Sequence, residues 1–181
     1  MNRTPLIAPG TSADPVVNRV YGEIERELGF GIVPNVFRAM ATMPALLEAN
    51  WVMFRGVVLQ GRLPRVVKEM VGVVVSYVHD SAYARDVHLH SLTVQGLDKD
   101  VLGILARGDT PSRGLSEAHA AVLAFARQAA HTPGKVGDAA YERMRAAGLD
   151  TEEILEVIAA VELFTAINAF TDLAGVPVDA L

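Results

Sequence analysis

The side chains that could carry chemistry are concentrated between residues 63 and 96. A carboxylate (Glu69), an imidazole (His88) and two hydroxyl groups (Ser81 and Tyr83) fall within this window. Histidine changes its charge near neutral pH, and with a carboxylate and a hydroxyl it supplies the usual groups of general acid–base catalysis. The window predicts proton-transfer chemistry or the binding of a small ligand. The alternative is a buried Glu–His pair that only satisfies its own hydrogen bonds.

Three positions in this window recur at a spacing typical of one helix face. Ser81, Ala84 and His88 follow the pattern i, i+3, i+7. At about 100° per residue they lie within about 60° of one another. We expect them to share one wall of the space that their helix faces.

A metal site is the weaker alternative for the same window. Glu69, His79 and His88 are the side chains that could converge on one ion. No ligand spacing such as His-Glu-x-x-His supports such a site. His90 points about 160° away from His88 on the same helix, so these two cannot chelate one ion. We therefore predict neither a metal nor a cofactor.

Hydrophobic residues at spacings of three and four predict an all-α chain of about eight helices. Prolines and capping residues mark the starts of these helices, and glycines mark several of their ends. Thr151 is the expected N-cap of the last helix. The predicted helices cover residues 15–28, 44–60, 64–78, 81–95, 98–106, 116–130, 136–147 and 151–174, with a short further helical stripe at 34–41.

The segment 64–78 is the ambiguous element, because five valines lie between residues 71 and 78. Such β-branched residues are typical of a buried strand. The run continues for about 15 residues without a turn residue, which is longer than most strands and favours a buried helix.

The absence of cysteine among the 181 residues excludes several classes of function. Without cysteine there are no disulfides, no Fe–S clusters, no thiolate zinc sites and no thiolate nucleophile. The net charge is −5 and no stretch concentrates Lys or Arg. Nucleic acid is therefore not an expected partner.

Composition also leads to expectations about location and organisation. The longest strongly apolar run, residues 70–78, is far shorter than the ~20 residues that span a bilayer, so we expect no membrane association. Residues 1–14 hold prolines and no apolar signal core, which indicates an extended arm before a single domain at 15–181. We expect a cytoplasmic protein.

The chain is unusually apolar for its size, with a mean hydropathy of +0.28 at 19.4 kDa. More apolar surface is available than one small core needs, which predicts at least a homodimer with a large apolar interface. Arg55, Arg62, Arg65 and Lys68 form a basic cluster around Gly61. We interpret it as a solvated face, with the steering of an anionic substrate as the alternative.

The window at 63–96 resembles the AhpD-like family of alkylhydroperoxidases and carboxymuconolactone decarboxylases. Its members carry a Lys-Glu pair on one helix, a Cys-x-x-Cys at the start of the next, and a His four residues after the second Cys. Lys68-Glu69 and His88 match this pattern, whereas Ser81 and Ala84 occupy the two cysteine positions. Residues 31–50 and the run from 115 to 168 also look like the peroxidase-related branch of the family.

The resemblance implies an AhpD-like helical bundle whose relatives pack helices between subunits. In this family the two thiols cycle between dithiol and disulfide, while the Glu and the His relay the proton. Serine cannot form such a redox-reversible bond, and Ala84 has no nucleophilic atom, so thiol peroxidase chemistry is excluded here. The resemblance thus implies a family member without peroxidase activity. The alternative is a decarboxylase-like acid–base protein, or a small-molecule-binding protein, that uses Glu69 and His88.

Overall fold

The computed structural model describes residues 3–111 and 113–180, and these residues form helices without a strand. The all-α prediction is confirmed. The nine α-helices of the described part, eight of them at least seven residues long, are α1 (Pro15–Glu27), α2 (Asn35–Met40), α3 (Pro44–Phe54), α4 (Arg65–Val78), α5 (Ala82–Val94), α6 (Lys99–Leu105), α7 (Glu117–His131), α8 (Asp138–Ala146) and α9 (Thr151–Ala174).

The ambiguous valine-rich segment is the central helix α4. Ten consecutive residues of it, from Val67 to Ser76, are buried, and it packs against α5, α7 and α9. A helix that is surrounded by neighbours on all sides needs apolar residues all round rather than a single stripe. Burial in this central position therefore outweighs the strand preference of its valines.

The helix predicted at 44–60 has a different second half. It is α-helical to Phe54 and continues as a π-helical turn at Arg55–Leu59, which ends where the Gln60 N–H bonds to the Arg55 carbonyl at 3.0 Å. Val58 is fully buried in this turn. A short 3-10 turn at Pro133–Lys135 also precedes α8.

The N-cap of α9 is Asp150, so the prediction of Thr151 was wrong by one residue. The Asp150 carboxylate accepts the Glu153 backbone N–H at 2.9 Å, and the Glu153 carboxylate accepts the Asp150 N–H at 2.9 Å. This reciprocal capping box uses two carboxylates at the positive end of the helix dipole, where negative charge is stabilised. Thr151 instead begins the helix itself.

Helix α9 is the one helix in the described part of the chain that is long and apolar enough to cross a membrane. Half of that stretch is buried against the rest of the fold. The core helix of a globular protein has the same length and composition, so this is weak evidence for a membrane span. In this fold α9 packs against α4, α5 and α7.

Candidate active site

The structure brings Glu69 and His88 together at the interface of α4 and α5. Asp80 lies in the turn between these helices with a positive φ of 53°, which is a conformation that Asp tolerates better than most residues. The tight turn makes the two helices neighbours. His88 Nδ1 lies 2.7 Å from Glu69 Oε2, and the two side chains are 6 % and 2 % exposed.

The second oxygen of the Glu69 carboxylate is also occupied. Ser91 Oγ donates to Oε1 at 2.6 Å, and the Arg65 Nε donates to the same oxygen at 3.1 Å. Burial raises the pKa of Glu69. The hydrogen bond from His88, the charge of His88, and Arg65 and Ser91 together outweigh burial, so the pKa lies below its ordinary value of 4.5. The carboxylate is therefore ionised at neutral pH.

An ionised carboxylate only accepts hydrogen bonds, and this fixes the tautomer of the histidine. When the ring is neutral, its proton is therefore on Nδ1, which donates to Glu69 Oε2 at 2.7 Å, and Nε2 is the nitrogen without a proton. Nε2 makes no hydrogen bond to any residue in the described part of the chain. The pair thus has the arrangement of a general base held by a carboxylate.

A small buried cavity lies beside the pair. Its volume is about 30 Å³. That is enough for one or two water molecules. Glu69 and His88 supply polar groups to its walls, and most of the remaining surface is apolar, with aromatic rings from Phe37, Phe54 and Phe164.

Tyr83 contributes its ring to this cavity, but its hydroxyl group is engaged elsewhere. The hydroxyl donates to Asp179 Oδ2 at 2.7 Å and accepts the Val36 backbone N–H at 3.0 Å. Burial raises the pKa of Tyr83 well above its ordinary value, and the Asp179 carboxylate raises it further. The geometry therefore favours a structural role for this hydroxyl over the acid–base role that the sequence suggested. Asp179 follows the last helix and belonged to no recognisable motif.

The three residues of the predicted helix face are all buried, but only two of them reach the cavity. Ala84 and His88 line it. Ser81 is fully buried and occupies the N-cap position of α5 without a capping hydrogen bond from its side chain. Its hydroxyl donates to Asp172 Oδ1 on α9 at 3.1 Å instead.

The three side chains of the metal alternative do not converge. His79 is exposed, and its Nε2 lies 3.3 Å from Thr165 Oγ1 on α9 rather than beside Glu69. Within residues 3–111 and 113–180, no group of three His, Cys, Asp or Glu side chains is placed to hold a metal ion.

Comparison with known proteins gives a family match over the middle of the chain. Residues 42–128 match the family model described as "Carboxymuconolactone decarboxylase family". The match includes the α4–α5 pair that holds Glu69 and His88. The matched residues, somewhat less than half of the chain, resemble the carboxymuconolactone decarboxylase family.

One curated protein with sequence similarity is an alkyl hydroperoxide reductase of Mycobacterium tuberculosis, 32% identical over 114 residues. The match covers 63% of this chain and 32% of that protein. The chain thus matches about a third of the length of this relative.

Solved structures show the same AhpD-like fold. A peroxidase-related protein of Ralstonia eutropha has a TM-score of 0.84 at 23% identity, covering 98% of this chain and 92% of that one. The debrominase Bmp8, as a cysteine-to-alanine variant in complex with 2,3,4-tribromopyrrole, has a TM-score of 0.82 at 20% identity, covering 99% and 95%. At these identities the likeness shows the fold alone.

The basic cluster around Gly61 consists of ion-paired side chains. Lys68 is 1 % exposed, so the interpretation of a solvated face was wrong for this residue. Because each of the four cations has a carboxylate partner, the cluster offers no unpaired charge for steering an anion. The pairs are Arg55–Glu27, Arg62–Asp150 and Arg62–Glu152, Arg65–Glu69, and Lys68–Glu156.

Two residues that hold the site were missed in the sequence. Arg65 lies four residues before Glu69, a spacing that places two side chains on one helix face and was a usable signal. Ser91 lies three residues after His88 on α5 and reaches the same carboxylate. Its spacing to His88 was also visible, but nothing local indicated that Glu69 would be its partner.

Proposed function

We propose that this protein is a carboxymuconolactone decarboxylase family member that has no thiol peroxidase activity and uses Glu69 and His88 to move a proton at a small, largely apolar ligand. The observation that carries the proposal is the 2.7 Å hydrogen bond of the pair beside a buried apolar cavity.

The loss of thiol chemistry follows from composition. A thiol peroxidase cycle needs one thiolate to attack the peroxide and a second thiol to resolve the product as a disulfide. The chain has no cysteine, so neither step has a sulfur atom. We expect peroxide consumption in the presence of a dithiol reductant to equal that of a protein-free control. Turnover well above that control would overturn this part of the proposal.

Proton transfer is supported by the state of the pair. Ionised Glu69 accepts a hydrogen bond from Nδ1–H of the neutral ring, so His88 Nε2 can accept a proton from a ligand. The imidazolium that forms is stabilised by the same carboxylate. Apolar walls exclude water and so strengthen this electrostatic interaction.

The cavity walls indicate the class of ligand. Aromatic and aliphatic surfaces favour a neutral ring compound, and one basic nitrogen favours a ligand with a weakly acidic hydrogen. At about 30 Å³ the cavity must widen before such a ring can enter. The compound 2,3,4-tribromopyrrole has the required chemistry and is therefore a suitable probe.

The fluorescence of the single tryptophan, Trp51, reports on binding of the probe. Trp51 stacks on Phe54 with ring centroids 6.1 Å apart and meets Phe37 edge-on at 5.8 Å, and both phenylalanines line the cavity. Bromine quenches indole fluorescence by the heavy-atom effect. We expect saturable quenching of Trp51 by the probe, with about tenfold weaker binding in His88→Gln after loss of one hydrogen bond. The variant His131→Gln, on an exposed residue of α7, is the control.

Proton transfer itself is measured as deuterium exchange at the ring C–H of the bound probe in heavy water. His88 takes the N–H proton and leaves a pyrrolide anion. After its proton exchanges with solvent, the imidazolium returns a deuteron to the ring carbon that bears hydrogen. That carbon then loses its proton to His88, which restores the aromatic ring. We expect exchange above the protein-free rate, and a return to that rate in Glu69→Gln and His88→Gln. Absence of saturable quenching contradicts ligand binding. Binding without exchange contradicts the proton-transfer step.

The second candidate is a purely structural pair that joins α4 to α5. It is favoured by the satisfaction of both Glu69 oxygens within the protein and by the small size of the cavity. In that case the probe neither quenches Trp51 saturably nor exchanges its hydrogen.

We further propose that the protein is a homo-oligomer. Large apolar side chains are exposed on the described surface, among them Val52, Leu155 and Leu173 at 63 %, 57 % and 74 %. Burying them between subunits would remove apolar area from water. A monomer in light scattering at micromolar concentration contradicts this proposal.

A further inference from the structure

Two of the side chains that line the cavity also reach solvent. Of the thirteen residues that line the cavity, eleven are buried, and only Phe30 and Val87 are partly exposed. Val87 belongs to the middle of helix α5, where its backbone is fixed by helical hydrogen bonds. Phe30 belongs to the loop between α1 and α2. Of the two, Phe30 is the side chain that moves at lower cost.

The backbone on both sides of Phe30 supports such movement. Gly29 and Gly31 have φ values of +81° and +71°, which glycine adopts without the strain that other residues carry. A Cβ added at either glycine would meet no atom within 4 Å, so neither position is packed against the fold. Phe30 is thus an aromatic side chain between two unpacked glycines.

Arg65 contacts the Phe30 ring and the loop that carries it. Its guanidinium carbon lies 5.8 Å from the centroid of the Phe30 ring, and its Nη1 donates to the Leu28 carbonyl at 2.9 Å. His90 meets the same ring edge-on at 5.1 Å. Because the Arg65 Nε also donates to Glu69, one guanidinium joins the loop to the proposed acid–base pair.

We propose that Phe30 is the gate of the cavity and determines which molecules reach His88. Arg65 is the latch of this gate, because its contacts with the Phe30 loop and with Glu69 keep Phe30 over the cavity. The gate rests on the proposed function, since it presupposes that the cavity receives a ligand. Outward rotation of Phe30 about its two glycines opens the cavity, whereas closure restores the cation–π contact and shields the pair from water.

The test measures access to His88 without any substrate. Diethyl pyrocarbonate modifies neutral imidazoles, and peptide mass spectrometry gives the rate of modification at each histidine. We expect Phe30→Ala to raise the rate at His88 about tenfold, because an aromatic side chain and its ring contacts are removed from the wall. The exposed His79 and His131 serve as internal standards whose rates stay unchanged.

Val87→Ala is the matched control, since it shortens the other partly exposed side chain of the cavity lining. We expect it to change the His88 rate much less than Phe30→Ala. Arg65→Met removes the hydrogen bond to Leu28 and should give an intermediate increase. An unchanged His88 rate in a folded Phe30→Ala protein, checked by circular dichroism, overturns the gate, and so does a larger effect of Val87→Ala. An unchanged rate in Arg65→Met overturns the latch.

Failure of the gate is distinguishable from failure of the proposed function. The modification experiment reports only on access, whereas probe quenching and hydrogen exchange report on binding and proton transfer. A protein that binds and exchanges the probe with an unchanged modification rate in Phe30→Ala keeps the function and loses the gate.

Discussion

The imidazole of His88 lies directly against the backbone of Gly72 on α4. A Cβ at residue 72 would lie 2.5 Å from Cε1 of the ring and 2.6 Å from both ring nitrogens. On α9, Phe164 meets the ring edge-on with centroids 4.4 Å apart. The glycine therefore gives the ring the room it needs to lie between α4 and α9 and reach Glu69.

We expect Gly72→Ala to destabilise the fold by about 1–3 kcal/mol, as overpacking of a closed core does. The added methyl group pushes the imidazole away from α4 and lengthens its hydrogen bond to Glu69. Urea denaturation gives the loss of stability, and the NMR signal of the His88 Nδ1 proton reports on the hydrogen bond. A stable variant with an unshifted signal contradicts this packing.

The matched control is Gly103→Ala in α6. A Cβ there would meet only the end of the Arg107 side chain, at 3.9 Å. Alanine is the better helix former by up to about 1 kcal/mol, so we expect this variant to be neutral or slightly more stable. If Gly72→Ala lowers the stability and Gly103→Ala does not, the loss at residue 72 comes from packing and not from helix propensity.

The lowered pKa of Glu69 predicts a loss of stability in acid. A carboxyl whose pKa is lower in the folded state stabilises the fold above its ordinary pKa of 4.5 and loses this contribution as pH falls through the folded value. We expect Glu69→Gln to be less stable than the wild type by about 1.5–3 kcal/mol at neutral pH, after loss of charged hydrogen bonds. The difference should shrink below pH 4.5 in urea titrations at several pH values. A constant difference across this range would show that the carboxylate charge is not what stabilises the site.

Local sequence signals predicted the elements well and their partners poorly. Proline starts such as Pro15 and Pro44, and glycine ends such as Gly175, act through one residue's backbone and are visible in the sequence. The sequence placed Glu69 and His88 in one window, but no spacing within a single helix showed that their side chains meet. The partner of Tyr83 is Asp179, 96 residues away, and the partner of Ser81 is Asp172, 91 residues away.

Such contacts depend on how whole helices pack, which spacing along one helix does not determine. The spacing of Ser81, Ala84 and His88 predicted one shared helix face, and all three residues are buried. It could not show that α9 would provide a carboxylate for Ser81 while the cavity received only Ala84 and His88. The role of Gly72 was equally invisible, because it depends on a ring that belongs to the next helix.

A second buried charge holds the turn between the π-helical segment and α4. The Lys68 ammonium donates to the Gln60 carbonyl and to Glu156 Oε2, the latter at 3.1 Å. The Glu156 carboxylate also accepts the backbone N–H groups of Arg62 and Leu63 at 2.6 and 3.0 Å. A Cβ at Gly61 would lie 2.6 Å from this carboxylate, so the turn closes on it without room for a side chain.

We expect the removal of Glu156 to lower the stability of the fold more than the removal of Lys68. Glu156→Ala leaves the buried Lys68 ammonium with the Gln60 carbonyl but without its counter-charge, and it should cost about 3–5 kcal/mol. Lys68→Met keeps the apolar stem and leaves Glu156 with its two backbone donors, so the loss should be smaller. Chemical denaturation of both variants and of the double variant gives the coupling energy. Equal losses for the two single variants would contradict the asymmetry.

The last prediction concerns the two positions that the family resemblance assigns to cysteines. Ser81 and Ala84 are buried at i and i+3 in the first turn of α5, where the helix dipole favours a thiolate. The double variant Ser81→Cys with Ala84→Cys adds little volume. If the assignment holds, it forms an intramolecular disulfide under mild oxidation and consumes peroxide when a reductant is supplied.

Asp172 and the Glu69–His88 pair make this prediction specific to the structure. A thiol at residue 81 would face the Asp172 carboxylate that now accepts the Ser81 hydroxyl, and a nearby negative charge disfavours the thiolate. Adding Asp172→Asn should therefore lower the thiol pKa and raise the rate of peroxide consumption. Adding Glu69→Gln should remove most of the activity, and each single-cysteine variant should be much weaker because it lacks the resolving thiol.

Thiol titration, mass spectrometry of the disulfide and a peroxide assay give the three readouts. A folded double variant whose thiols titrate near the ordinary value of about 8.5 and never pair would show that residues 81 and 84 do not occupy the cysteine positions.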